Sequence, residues 1–229
     1  MSKKKPELDS NRLVISSVNP QSPISEQYRT IRTNIEFMMV DNNLRTLLVT
    51  SAEASAGKST LIANLAVVFA QQGKKALLID ADLRKPTTHL TFRVDNKIGL
   101  TNVLTRQASL DTALQGTRIA KNLAILTSGP IPPNPSELLS SQIMKDLIAT
   151  ASRNFDVVLV DAPPVVSVTD AQILSRIIDG VVVAACANQT KKEELSRAKR
   201  LLEHVQANVL GCVLTQYESE DAAYYYYGV

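Results

Sequence analysis

The sequence predicts a single α/β domain in which a mostly parallel central sheet carries helices on both faces. Three observations lead there. Six short runs rich in Val, Leu and Ile recur along the chain, at 47–50, 76–80, 123–127, 157–161, 181–185 and 209–215. They are continuously apolar rather than alternating, which marks strands buried on both faces. Helical patterns at roughly 58–72, 136–152, 169–178 and 190–206 separate them, as parallel pairing requires. A chain of 229 residues with 45% hydrophobic content is also long enough for one substantial core.

Taken in order, residues 1–23 form a polar, Pro-containing lead. Ile24, Tyr28, Ile31, Ile35 and Met38 then recur four, three, four and three apart, the apolar stripe of an amphipathic helix. Residues 24–216 make up the domain, and 217–229 read as a flexible tyrosine-rich tail. Cys186 and Cys212 each sit in a short apolar segment and read as buried core thiols, which favours a reducing, cytoplasmic setting. The net charge of +3 is mild, and no basic run interleaved with aromatics points to nucleic acid. No stretch approaches the roughly 18 apolar residues of a membrane span. Lys3, Lys4 and Lys5 read as solvated charges.

Chemistry enters at the strand ends, where ligands of parallel α/β sheets bind. After the first strand run comes Thr50-Ser51-Ala52-Glu53-Ala54-Ser55-Ala56-Gly57-Lys58-Ser59-Thr60, a loop of small residues leading into a helix. Backbone N–H groups from Ser55 to Thr60 can wrap the phosphates of a nucleotide. Lys58 can reach the β- and γ-phosphates, and the Ser59 hydroxyl can ligate Mg²⁺. Ala52 stands where such a P-loop usually carries its first glycine. The second signal is Asp80 and Asp82 at the end of a buried strand, spaced to point the same way and suited to metal binding and acid–base work. The third is Asp161, ending the 157–161 strand and suited to holding Mg²⁺ through water.

Together these residues resemble the bacterial tyrosine kinases of capsule and exopolysaccharide synthesis, over nearly the whole chain. In that family the loop runs from an aliphatic strand through Thr/Ser-Ser to Gly-Lys-Ser/Thr, which Thr50, Ser51, Gly57, Lys58 and Ser59 match. Asp80 and Asp82 match the family's Walker A′ motif and Asp161 its Walker B motif. The family lies within the deviant P-loop ATPases that include MinD and ParA, whose usual signature lysine is replaced here by Glu53. The resemblance implies an ATP- and Mg²⁺-dependent protein-tyrosine kinase that modifies its own C-terminal tyrosines. Lys58, Asp80, Asp82 and Asp161 are then the catalytic residues, Asp80 first in line as proton acceptor and Asp82 the other choice. Ser59, Asp80, Asp82 and Asp161 are the candidates for placing the metal.

Glu26, Arg29 and Arg32 form the E-x-x-R-x-x-R pattern that in the family supports a ring-like homo-oligomer. Their arc lies away from the apolar stripe, so they are expected to face outward. Tyr224, Tyr225, Tyr226 and Tyr227 follow Glu218, Glu220 and Asp221 and read as phosphorylation sites. From Thr215 an extended chain reaches them over about 30 to 40 Å, far enough for a neighbouring subunit's site. The family also implies a membrane activator of the polysaccharide co-polymerase type, whose cytoplasmic tail recruits the kinase to the inner face of the membrane. Protein tyrosines are the implied substrates. A MinD-like switch ATPase and a nucleotide-binding adaptor of the polysaccharide machinery are the competing readings. No G-x-G-x-x-G is followed by H-R-D and D-F-G, so kinase activity would rest on the P-loop scaffold.

Overall fold

The computed structural model describes residues 14–217. Residues 1–13 and 218–229, and with them Lys3 to Lys5 and the expected phosphorylation sites Tyr224 to Tyr227, lie outside the described residues. Two helices lead in, α1 (Ile15–Val18) and α2 (Pro23–Asp41). Strand β1 (Thr46–Ser51), helix α3 (Lys58–Gln71) and strand β2 (Ala76–Asp80) follow. Three short helices, α4 (Thr88–Phe92), α5 (Leu100–Leu104) and α6 (Leu110–Ala113), precede strands β3 (Gln115–Gly116) and β4 (Leu123–Leu126). Then come α7 (Pro135–Ser140), α8 (Gln142–Asn154), β5 (Val157–Asp161), α9 (Asp170–Ser175), β6 (Gly180–Cys186), α10 (Lys192–His204) and β7 (Val209–Thr215).

The strands form one seven-stranded sheet in the order β3-β4-β2-β5-β1-β6-β7. All pairings are parallel except the short antiparallel pair β3–β4. Strand residues alternate between two cores. Leu47, Val49, Leu78, Leu159 and Val182 pack under α3, and Leu48, Leu77, Val158, Val160 and Val181 pack on the opposite face with α8 and α9. Helix α3 is buried continuously from Leu61 to Ala70, because α1 and α2 cover the side that the sheet does not. A helix apolar on every side is stable only in such a sandwich. Asn64, fully buried within it, accepts from the Ser16 N–H at 3.0 Å and donates to the Thr60 carbonyl at 2.9 Å, so its amide fastens α1 to α3.

Four expectations change. The helix expected over 136–152 breaks at Ser141, which adopts an extended backbone and caps α8 by accepting from the Met144 N–H at 3.2 Å. Ile24, the first residue of the α2 stripe, is 52% exposed, whereas Ile35 and Met39 are buried. Cys186 is buried as expected, but Cys212 is exposed because edge strand β7 leaves one face uncovered. Arg32 does not face outward. Its guanidinium donates to the Val68 carbonyl at 3.2 Å and pairs with Glu36, leaving the side chain 16% exposed.

Among the described residues no helix is long and apolar enough to cross a membrane. The packing of α3 yields a first prediction. Leu65→Ala, at a fully buried position, should cost about 2–5 kcal/mol in urea unfolding, whereas Thr30→Ala on the exposed side of α2 should change stability by less than about 0.5 kcal/mol.

Candidate active site

The P-loop spans residues 52–57 between β1 and α3. Its curvature depends on two left-handed residues, Ser55 at φ 63° and Gly57 at φ 74°. Gly57 is required twice over, since a Cβ there would also lie 3.0 Å from Thr215 Oγ1. Thr215 closes the loop from behind by donating to the Ala56 carbonyl at 2.8 Å, and Gln216 Nε2 approaches the Ser55 carbonyl at 3.4 Å. On the other flank, Thr50 Oγ1 donates to the Pro163 carbonyl at 2.8 Å. The loop is thus braced by the ends of β7 and β5. No side chain caps α3, so its first N–H groups and the positive end of its dipole are available to an anion.

Lys58 lies at the centre. Its ammonium donates to Asp82 Oδ2 and Asp161 Oδ1, both at 3.1 Å, and to Ser59 Oγ at 3.2 Å. Burial alone would favour a neutral amine, but Asp161 and Asp82 outweigh it and hold the pKa above the ordinary lysine value. Lys58 is therefore charged. Asp161 is raised in the other sense, because burial outweighs the attraction of Lys58. Asp80 sits beside it, since Asp80 and Asp161 are register partners on adjacent parallel strands. One Asp80 oxygen accepts from the Thr87 and Thr88 N–H groups at 3.1 and 3.0 Å. Burial first, and then the charge of Asp161, push Asp80 up to about 7.

Two buried carboxylate oxygens, Asp80 Oδ1 and Asp161 Oδ2, have no hydrogen-bond partner among the described residues. Three carboxylates thus face one ammonium, an excess of negative charge that suits a cation. Yet no three His, Cys, Asp or Glu side chains among the described residues converge as a ready-made metal cage. The oxygen donors present suit Mg²⁺, which keeps several waters and takes one or two protein oxygens alongside nucleotide phosphates. Ser59, Asp82 and the buried Asp80 and Asp161 are the residues that would hold it.

A groove of about 890 Å³ opens over the loop. Its lining includes Ser55, Gly57, Lys58, Ser59 and Thr60 of the loop and α3, Asp82, Lys85, Thr87 and Thr91 beyond β2, and Tyr28, Ile31, Leu214 and Tyr217 from α2 and the end of β7. Asp82 is the carboxylate of the three that lines this groove, while Asp80 and Asp161 are fully buried beneath it. The structure therefore brings Lys58, Ser59, Asp80, Asp82 and Asp161 together. Glu26, Arg29 and Arg32 lie apart on α2, where Glu26 and Arg29 pair with each other. The bracing roles of Thr215, Gln216, Thr50, Thr87 and Thr88 were not read from the sequence. The one available signal was the position of Thr50, Thr215 and Gln216 at or next to the ends of strands.

Comparison with known proteins bears directly on this geometry. Residues 44–210 match the family model described as an AAA domain. The chain is similar to the tyrosine-protein kinase YwqD of Bacillus subtilis, with 50% identity covering 95% of this chain and 92% of that one. It is similar to the putative tyrosine-protein kinase CapB of Staphylococcus aureus, with 41% identity covering 91% and 92%. Among solved structures, the chimerical protein CapA2B2 superposes with a TM-score of 0.86 at 42% identity, covering 90% of each chain. The septum site-determining protein MinD of Pyrococcus horikoshii superposes with a TM-score of 0.66 at 24% identity, over 77% of this chain and 72% of that one, a likeness of fold alone.

The buried carboxylates set a pH dependence. Asp80 titrates near 7 when folded and near 4 when unfolded, so its contribution to stability is complete below about pH 4 and is lost as pH rises through about 7. Without nucleotide or divalent ions, Asp80→Asn should stabilise the protein at pH 8 by on the order of a few kcal/mol, and the gain should shrink towards pH 5. Thermal melts of both proteins across that range check this.

Proposed function

The chain belongs to the bacterial protein-tyrosine kinases built on a P-loop ATPase fold, and on that premise we propose that it transfers the γ-phosphoryl group of ATP to protein tyrosines with Mg²⁺. The observation that carries the reading is the buried Lys58 ammonium held between Asp82 and Asp161, with the uncommitted Asp80 oxygen alongside. Phosphoryl transfer needs positioning and charge neutralisation more than covalent chemistry from the protein. In this reading the free N–H groups from Ser55 to Thr60 wrap the phosphates. Lys58 shifts its donors from carboxylates to the β- and γ-phosphates as ATP enters. Mg²⁺, when bound, supplies the positive charge that neutralises the phosphate oxygens, placed by Ser59, Asp82 and Asp161.

The acceptor tyrosine starts from a reference pKa near 10, so a carboxylate that orients its hydroxyl and takes the proton late in transfer suffices. Asp80 is our choice for that task. Its pKa near 7 is closer to the operating range of a proton acceptor than an ordinary aspartate's.

The first substrates in this reading are Tyr224, Tyr225, Tyr226 and Tyr227 of a neighbouring copy in a ring-like homo-oligomer. Exposed Glu26 and half-buried Arg29, now paired with each other, would exchange partners across the ring contact. Arg32 is already committed to Val68 and Glu36 and would steady α2 from within. Each phosphate adds about −1.5 to −2 charge, enough to oppose a charged ring contact and thereby regulate capsular or extracellular polysaccharide synthesis and export. A membrane activator of the polysaccharide co-polymerase type would bring the chain to the inner face of the membrane through its cytoplasmic tail.

The test is phosphosite mapping by intact mass after incubation with ATP and Mg²⁺, with and without the cytoplasmic tail of a candidate activator. Phosphate should appear on the four tail tyrosines and disappear in Lys58→Met and in the variant with all four changed to Phe. Removing Lys58 should lower transfer at least about 10²-fold, on the scale of losing a preorganised electrostatic donor. ATP hydrolysis with no phosphotyrosine under either condition would instead indicate a switch ATPase.

A further inference from the structure

Arg84, two residues beyond Asp82, enters a closed polar network outside the groove. Its Nε donates to Asp170 Oδ2 at 2.8 Å and its Nη2 to Asp170 Oδ1 at 3.0 Å, the two-pronged geometry of an arginine–carboxylate pair. The same Nη2 donates to Ser136 Oγ at 3.0 Å, and Ser136 Oγ donates onward to Asp170 Oδ1 at 2.7 Å. Asp170 is fully buried.

The three residues come from segments that follow three adjacent strands. Ser136 opens α7 after β4, Arg84 follows β2 and Asp170 opens α9 after β5. These include the two strands that end in Asp80 and Asp161. Between Asp80 and Arg84 the chain is held at two further points, where the Ala81 N–H donates to the Asp161 carbonyl at 2.9 Å and Asp82 Oδ1 accepts from the Lys85 N–H at 3.0 Å. Asp82 Oδ2 faces Lys58. The turn carrying Asp82 is thus fixed on one side by the Ala81 N–H and the Asp82 carboxylate and on the other by Arg84, which is itself fixed by Asp170 and Ser136.

We infer that Asp170, acting through Arg84 with Ser136 closing the triangle, is a positioning residue that aims Asp82 at the metal–phosphate position; this rests on the metal reading of the site proposed above. The Arg84 side chain is 38% exposed while Asp170 is buried, and an ion pair of this kind adds little net stability, so its worth here is geometric. Partners that orient a metal-placing carboxylate without touching the metal commonly change metal affinity by about 10 to 100-fold when removed. Arg84 is suited to this and lysine is not, because only the planar guanidinium binds both Asp170 oxygens and Ser136 at once.

The test uses the full chain and reads nucleotide binding rather than catalysis. ADP is titrated by calorimetry with Mg²⁺ and again with EDTA, and the ratio of the two affinities gives the gain due to the metal. The variants are the apolar double replacement Arg84→Met with Asp170→Leu, and the single replacement Arg84→Lys. The double variant should melt within a few degrees of the parent and bind metal-free ADP equally well, while the metal-dependent gain falls about 10-fold. Arg84→Lys should lose part of that gain, about 3-fold. Should the double variant not fold, Arg84→Lys decides. Folded variants that keep the parent's full gain would overturn the inference and leave the network purely structural. A parent that shows no gain from Mg²⁺ would instead overturn the metal reading on which the inference rests.

Discussion

The site depends on one constraint, the charge balance around Lys58. A single buried ammonium is shared by Asp82 and Asp161, with Asp80 at the neighbouring register position. Removing one partner of a buried ion pair costs about 3–5 kcal/mol, so Lys58 is held firmly at its carboxylates. The same balance leaves the strand ends over-supplied with negative charge. Burial raises Asp80 and Asp161, the charge of Asp161 adds to the rise at Asp80, and the excess of carboxylates suits a cation.

The rest of the fold serves that arrangement. The parallel sheet brings the ends of β1, β2 and β5 side by side, placing the P-loop, the two aspartates of the β2 end and Asp161 within one groove and its floor. Helix α3 presents its uncapped N-terminus because its body is fixed between sheet and α2. The loop keeps its left-handed turns because Thr215 and Gln216 brace it from the edge of the sheet. Fold alone does not separate a kinase from a MinD-like ATPase. The features that set this chain apart in the sequence are Glu53 in the loop and the tyrosines that follow the domain.

The strands were legible because burial on both faces leaves uninterrupted aliphatic runs, and three of the six were placed to the residue. The phosphate loop was legible because its chemistry demands Gly57, Lys58 and Ser59 in that order. What escaped was set by tertiary contact. Nothing local announces that Ser141 breaks a helix, that β7 is an edge leaving Cys212 exposed, or that Arg32 turns inward to Val68. The four-residue helices and the two-residue β3 are too short to show a period. Arg84 meets Asp170 across 86 residues, and no spacing rule connects them.

The most direct test of tyrosine transfer by this P-loop site mixes two chains. One carries Lys58→Met and keeps its tail; the other keeps Lys58 but has Phe at 224, 225, 226 and 227. Incubated together with ATP, Mg²⁺ and the activator's cytoplasmic tail, they should yield phosphotyrosine on the Lys58→Met chain, although neither chain alone can label itself. Steady ATP hydrolysis in the mixture with no phosphotyrosine on that chain would contradict transfer between subunits at this site.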